Sequence, residues 1–155
     1  MNVLFVCTGN VFRSMSAEYL MNKYLNDNAI TNISVSSAGT TAHPQPSFPE
    51  TLDRLLRDWC DASHHQQTKL TAAVLEWKDL VICMSERHRT VVRELWYDAV
   101  LFNEIAYNIS SDVMDDTEYE EKHWSDYDLW KYVDCIVDYI HDAIPYIVQN
   151  IQKSQ

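Results

Sequence analysis

One stretch constrains this chain more than any other: Val3-Leu4-Phe5-Val6-Cys7-Thr8-Gly9-Asn10-Val11-Phe12-Arg13-Ser14. Val3 to Val6 is an apolar run of the kind that fills a strand buried on both faces. Ser14, followed by Met15, Ala17, Tyr19, Leu20 and Met21, reads as a capped helix with apolar residues at helical spacing. Cys7 therefore sits where a buried strand ends and a helix is about to begin. Unpaired N–H groups of a loop and a first helical turn make that place electropositive, which favours an anion and the thiolate form of a cysteine. The spacing from Cys7 to Arg13 lets the arginine fork fold back over the centre the sulfur faces. Arginine matches a tetrahedral oxyanion bidentately, and the loop N–H groups of Thr8, Gly9, Asn10, Val11 and Phe12 are placed to take the remaining oxygens. Ser14 can donate a hydrogen bond to the sulfur, and Asn10 can brace the loop through side-chain to backbone bonds.

Further along, Ile33-Ser34-Val35-Ser36 alternates as a strand should, Leu80-Val81-Ile82-Cys83-Met84 is apolar throughout, and Ala99-Val100-Leu101-Phe102 supplies a fourth strand. Helical spacing is expected from Ser14 to about Asn26, from Glu50 to about Cys60, from about Thr71 to Trp77, from a cap at Ser85 to about Leu95, and from Asp126 onward, where Pro145 should interrupt or kink the last helix. The segment between Asn103 and Ser125 sustains no period and is expected to be a long acidic loop placed over something. Strands alternating with helices imply an α/β fold: a small four-stranded parallel sheet with helices on both faces, its ligand at the carboxyl ends of the strands, where Cys7 lies. At 155 residues the chain fits a single domain, residues 1–155. With only two glycines in the chain, Gly9 and Gly39 are expected to mark special backbone or close approaches.

The formal charge of −11 lacks the footprint of nucleic-acid binding. Cysteines at 7, 60, 83 and 135 show neither pairing nor metal-ligand spacing, which points to a reducing, cytoplasmic setting and no metal site. No signal-peptide pattern or membrane-length apolar window is present in the sequence, so no membrane partner is expected.

At Cys7-Thr8-Gly9-Asn10-Val11-Phe12-Arg13-Ser14, Ser36-Ser37-Ala38-Gly39-Thr40, Asp79-Leu80-Val81-Ile82-Cys83-Met84 and Asp112-Val113-Met114-Asp115, the chain resembles the low-molecular-weight protein tyrosine phosphatases over nearly its whole length. The resemblance implies a cysteine-dependent phosphatase domain with a phosphocysteine intermediate and no metal or other cofactor. Carried over residue by residue, Cys7 would attack phosphorus, and Arg13 with the amides of residues 8–14 would hold the phosphoryl oxygens. Asp115 would act as general acid and then general base. Asp116 competes for that role, because the family usually places proline there. Asn10, Ser14, Ser37 and His65 match positions that stiffen the loop, while His43 and Tyr119 are the candidates for an aromatic wall. The implied partner is a phosphotyrosine-containing protein or a small aryl phosphate; the oligomeric state is not specified.

The chain also departs from the family pattern. Phe12 stands where a second, protective cysteine is usual, so oxidation of Cys7 is expected to be poorly reversed by thiol. Met15 replaces the proline that usually opens the helix. The added carboxylates near the acid should disfavour acidic phosphopeptides. The bacterial protein arginine phosphatases are a similar family and a competing reading; there a threonine at the position of Val11 helps select phosphoarginine, whereas an aliphatic suits phosphotyrosine. The fold also resembles thioredoxin-coupled arsenate reductases, but Cys83 has no second relay cysteine near Thr90. A non-catalytic phosphate-binding module is the alternative from a different class.

Overall fold

Four parallel strands, β1 (Asn2–Cys7), β2 (Ser34–Gly39), β3 (Leu80–Cys83) and β4 (Val100–Leu101), form one sheet in the order β2-β1-β3-β4 in the computed structural model, which describes residues 1–154. The two strands with the longest apolar runs, β1 and β3, lie at the centre, as burial on both faces requires. In the register Val6 pairs with Ala38 on one side and Cys83 on the other, and Cys7 pairs with Gly39. The carboxyl ends of β1 and β2 therefore stop together, and both following loops start at the same edge.

The period-two alternation of β1 sorts its side chains between two cores. Val3, Phe5 and Cys7 join Ile82 and Met84 in the larger core. It is closed by α1 (Arg13–Asp27), α2 (Pro49–Arg57), α5 (Phe102–Tyr107), α6 (Asp116–Lys122) and α7 (Leu129–Lys153). Leu4 and Val6 join Val81 and Cys83 in the smaller core under α3 (Ala72–Leu75) and α4 (Glu86–Glu94). The α7 stripe Tyr132, Val133, Ile136, Val137, Ile140, Ile144 is buried along its length. Burial of Ala143, Ile144, Ile147 and Val148 on both sides of Pro145 holds α7 as one helix through the proline, where the sequence alone predicts an interruption or kink.

The segment expected to be irregular after Asn103 contains two short helices, α5 and α6. Only Tyr119 of α6 is buried, so its charged sequence carries no apolar period to detect. Ser85 occupies the N-cap of α4 as expected, but its hydroxyl makes no capping bond and turns to His88 instead. Among the described residues no helix is long and apolar enough to cross a membrane.

Candidate active site

Beyond Cys7 the chain turns through residues 8–12 and enters α1 at Arg13. The turn is possible because Asn10 adopts a left-handed conformation, φ 57°, which asparagine tolerates better than most residues. It carries the Asn10 amide back to Cys7, where its N–H points at Sγ from 3.3 Å, and Ser14 Oγ lies 2.9 Å from the same sulfur. A backbone N–H and a hydroxyl thus converge on the sulfur of a residue that is only 4% exposed. The other interior thiols have no such company, and burial pushes Cys60 and Cys83 up to about 11 and about 12.

Asn10 is fully buried, and each of its side-chain polar atoms is used. Its Nδ2 donates to Ser14 Oγ at 3.0 Å and to Ser37 Oγ at 2.7 Å, and its Oδ1 accepts from the Thr68 amide at 2.9 Å. His65 Nε2 is 2.9 Å from the Asn10 carbonyl, with the imidazole held edge-on against Tyr19. The fold therefore brings Asn10, Ser14, Ser37 and His65 into one network around the loop.

Ser37 in turn donates to Glu18, whose pKa is raised by burial against the lowering effect of that hydrogen bond. Sequence reasoning missed Glu18, although it stands one helical turn after Ser14 and so shares its face. Gly39 is needed for proximity: a Cβ there would lie 2.5 Å from Thr8 O and 2.8 Å from Asn10 N. The turn after β2 is stitched to the loop by Thr40 N to Cys7 O and Thr41 N to Thr8 O, each 2.9 Å. Gly9 meets nothing nearer than 3.5 Å, so its position demands no special residue sterically.

Arg13 is 7% exposed and donates through Nη1 to the Val113 carbonyl at 3.0 Å, tying the end of the loop to the segment before α6. A cavity of about 400 Å³ opens above Cys7, lined by Thr8, Gly9, Val11, Phe12 and Arg13 from the loop. Phe48 and Thr51 from the start of α2, Arg87 from α4, Asp116, and Leu129, Tyr132 and Val133 from α7 complete its wall. The Phe12 ring packs edge-on against Tyr132 at 5.3 Å, so the residue in the place of the second cysteine builds the apolar side of the pocket. Thr51 contributes a buried hydroxyl with no hydrogen-bond partner among the described residues.

The expected aromatic wall is corrected by this geometry. His43 is exposed in the proline-rich loop, and neither it nor Tyr119 lines the cavity. Tyr119 is 6% exposed, stacked on His123 at 4.1 Å and packed behind Tyr132. The wall comes from Phe12, Phe48, Leu129 and Tyr132, residues from three distant parts of the chain that no local pattern joins.

The two candidate acids are placed differently. Asp115 is the N-cap of α6: Oδ1 accepts from the Glu118 amide at 3.0 Å, and Oδ2 is 3.3 Å from Arg87 Nη2. Asp116, the first residue of α6, lines the cavity, and among the described residues its side chain accepts from the adjacent Thr117 amide alone. Asp112 accepts from the Glu86 amide at 2.8 Å and so anchors the start of α4.

Sequence reasoning also missed His88. Its Nε2 lies 2.9 Å from Thr8 Oγ1 and its Nδ1 2.8 Å from Ser85 Oγ. Burial, with Arg13 and Arg87 nearby, drives its pKa down to about 3, with Asp115 opposing, so the ring is neutral at physiological pH.

A cysteine at a strand's end contacted by an amide and a hydroxyl, with Arg13 and a largely apolar cavity beside it, is an arrangement that can bind an oxyanion next to a nucleophile. In sequence, the chain is 34% identical over 93 residues to the protein-arginine-phosphatase of Bacillus subtilis, covering 59% of this chain and 61% of that protein. It is 31% identical over 96 residues to the low molecular weight protein-tyrosine-phosphatase Ptp of Acinetobacter johnsonii, covering 61% and 64%. The chain thus matches less than two thirds of the length of these curated relatives. In structure it superposes on a low molecular weight protein tyrosine phosphatase from T. tengcongensis with a TM-score of 0.81 at 24% identity, covering 96% of this chain and 98% of the other. Residues 2–152 match the family description "low molecular weight phosphotyrosine protein phosphatase", and the chain belongs to that family.

Proposed function

We propose that residues 1–155 form a single cysteine-dependent phosphatase domain that hydrolyses phosphomonoesters, with protein phosphotyrosine or a small aryl phosphate as substrate. The observation that carries this reading is the convergence of the Asn10 amide and Ser14 hydroxyl on Cys7 Sγ, beside Arg13 and beneath a cavity with apolar walls. In this reading Cys7 attacks phosphorus in line with the leaving oxygen. The amides of residues 8–14 and the Arg13 guanidinium hold the three equatorial oxygens, whose charge is greatest in the transition state. Ser14 stabilises the sulfur as thiolate and again as leaving group when water hydrolyses the phosphocysteine.

The acid in this proposal is Asp115, from the Val113-Met114-Asp115 register, with Asp116 as its competitor. Asp115 is outside the cavity lining but pairs with Arg87, which is part of it, so in this reading the carboxyl must be handed from Arg87 to the leaving oxygen as substrate enters. Phe12, Phe48, Leu129 and Tyr132 would pack the aryl ring. Free thiols at all four cysteines fit a reducing, cytoplasmic setting.

A second reading, protein arginine phosphatase, is supported by the Asp116 carboxylate in the cavity lining, a match for a guanidinium, and by the name of the Bacillus subtilis relative. Val11 favours phosphotyrosine. Turnover of phosphotyrosine, phosphoarginine and para-nitrophenyl phosphate by wild type, Cys7→Ser, Asp115→Ala and Asp116→Ala tests both readings. Hydrolysis of phosphoarginine alone would replace the first by the second, and no turnover of any would leave a phosphate-binding module.

A further inference from the structure

His88 lies on a different element from every other group that braces the loop. It stands on α4, on the smaller-core side of the sheet, and reaches Thr8, the residue directly after Cys7. It is 1% exposed, and among the described residues the polar partners of its ring are the two hydroxyls at its nitrogens. Ser85, placed to cap α4, spends its hydroxyl on Nδ1 rather than on the helix, so local helix capping is given up to hold this ring.

A neutral imidazole has one N–H and one bare nitrogen, and a hydroxyl can turn to either. If Nδ1 carries the proton, Nε2 must accept the hydrogen bond of the Thr8 hydroxyl, and Thr8 presents only lone pairs to the cavity it lines. If Nε2 carries the proton, it donates to Thr8 Oγ1 while Ser85 donates to Nδ1. The Thr8 O–H is then released toward the cavity, where it can donate to an anion. A dianion beside Cys7 repels lone pairs and rewards a donor with a charge-assisted hydrogen bond. The two states differ only in which nitrogen holds the proton, exchanged through solvent; both hydroxyls keep their own protons and rotate.

We propose that His88 is a positioning residue which, in the anion-bound enzyme, is the neutral Nε2–H tautomer and turns the Thr8 hydroxyl into a phosphate donor. This rests on the phosphate-cradle reading of the cavity. Because burial and then the positive charge of Arg13 and Arg87 disfavour the protonated ring more than Asp115 favours it, the imidazole itself stays uncharged and the hydroxyl, rather than a cation, makes the added contact.

The test uses ¹⁵N-imidazole NMR of the full chain saturated with inorganic phosphate, together with inhibition of para-nitrophenyl phosphate turnover by phosphate. The expected spectrum assigns His88 as Nε2–H and neutral. Thr8→Val and His88→Ala should each weaken phosphate inhibition roughly tenfold, and the double variant no more than either alone. His88→Gln, whose amide can donate at the Nε2 position, should recover most of the loss. An Nδ1–H or protonated ring in the phosphate complex overturns the proposal, as do additive effects of the two substitutions. If phosphate binds the wild type but His88 gives either of those results, the proposal alone fails; if phosphate does not bind, the cradle reading fails with it. The wild-type spectrum decides the matter even if His88→Ala does not fold.

Discussion

The phosphate loop and the acid segment meet at one cavity but are held unequally. Residues 7–14 are pinned from every side: β2 through Ser37 and Gly39, the 65–68 loop through His65 and Thr68, α4 through His88, and the acid segment through Arg13 and Val113. The acid segment is tied down at its start, where the Val113 N–H donates to the Met84 carbonyl at 2.8 Å and Asn103 Nδ2 donates to the Asp112 carbonyl at 3.1 Å, but it is bare beyond Tyr119. Val113 and Tyr119 are its buried side chains, and residues 120–130 are exposed throughout. The difference follows the chemistry. Donors aimed at a developing charge gain most when they need no reorganisation, whereas the proton donor must meet substrates of varied shape and let products leave.

Several measurements would break or sharpen this contrast. The largest effect belongs to the nucleophile: Cys7→Ser should lower para-nitrophenyl phosphate turnover by on the order of 10⁴-fold or more, and residual turnover near wild type would remove Cys7 from the chemistry. Asp115→Ala should slow turnover by about 10²-fold or more while costing only ~1 kcal/mol of stability from the lost cap. Asp116→Ala should act chiefly on KM, and equal kcat losses in both variants would undo the assignment of the acid. Gly39→Ala, with its Cβ pressed on Thr8 O and Asn10 N, should cost ~1–3 kcal/mol in urea unfolding and displace the loop. Gly9→Ala should unfold close to wild type, because its new methyl meets only ordinary contacts.

Peroxide should inactivate Cys7 with incomplete recovery by dithiothreitol, since Phe12 occupies the place of a resolving thiol and Cys83 faces the other core. The last effect concerns acid stability. His88 has its folded pKa lowered from 6.5 to about 3, so the unfolded state binds the extra proton first. Stability should therefore fall as pH drops from about 6.5 toward 3, with a slope approaching ~1.4 kcal/mol per pH unit from this group. His88→Gln should remove that part of the slope, and identical urea midpoints across this range in both proteins would contradict the burial of a neutral ring.

What could be read without tertiary structure was whatever the chain writes locally. The apolar runs of β1 and β3, the placement of Cys7 between strand and helix, and the interval to Arg13 depend on neighbours in sequence, where strand alternation and helical spacing leave their mark. The resemblance extended that reading to Ser37, His65 and the acid segment. The charged α6 and the short α5 were not legible, because one buried residue in α6 and three within the single short stretch of α5 leave no sustained period. Nor was the wall of Phe12, Phe48, Leu129 and Tyr132, since its members meet only when α2 and α7 close over the loop. The partner of Ser85 was likewise hidden: a serine before a helix predicts a cap, and only the approach of α4 to Thr8 turns it toward His88. The sequence by itself determined where the Cys7 thiol sits and what kind of guest such a place favours, because those follow from a strand, a turn and a helix start. Which side chains hold it still, and which surround the guest, was decided by the tertiary structure, because both depend on distant elements brought together by burying two cores on one sheet.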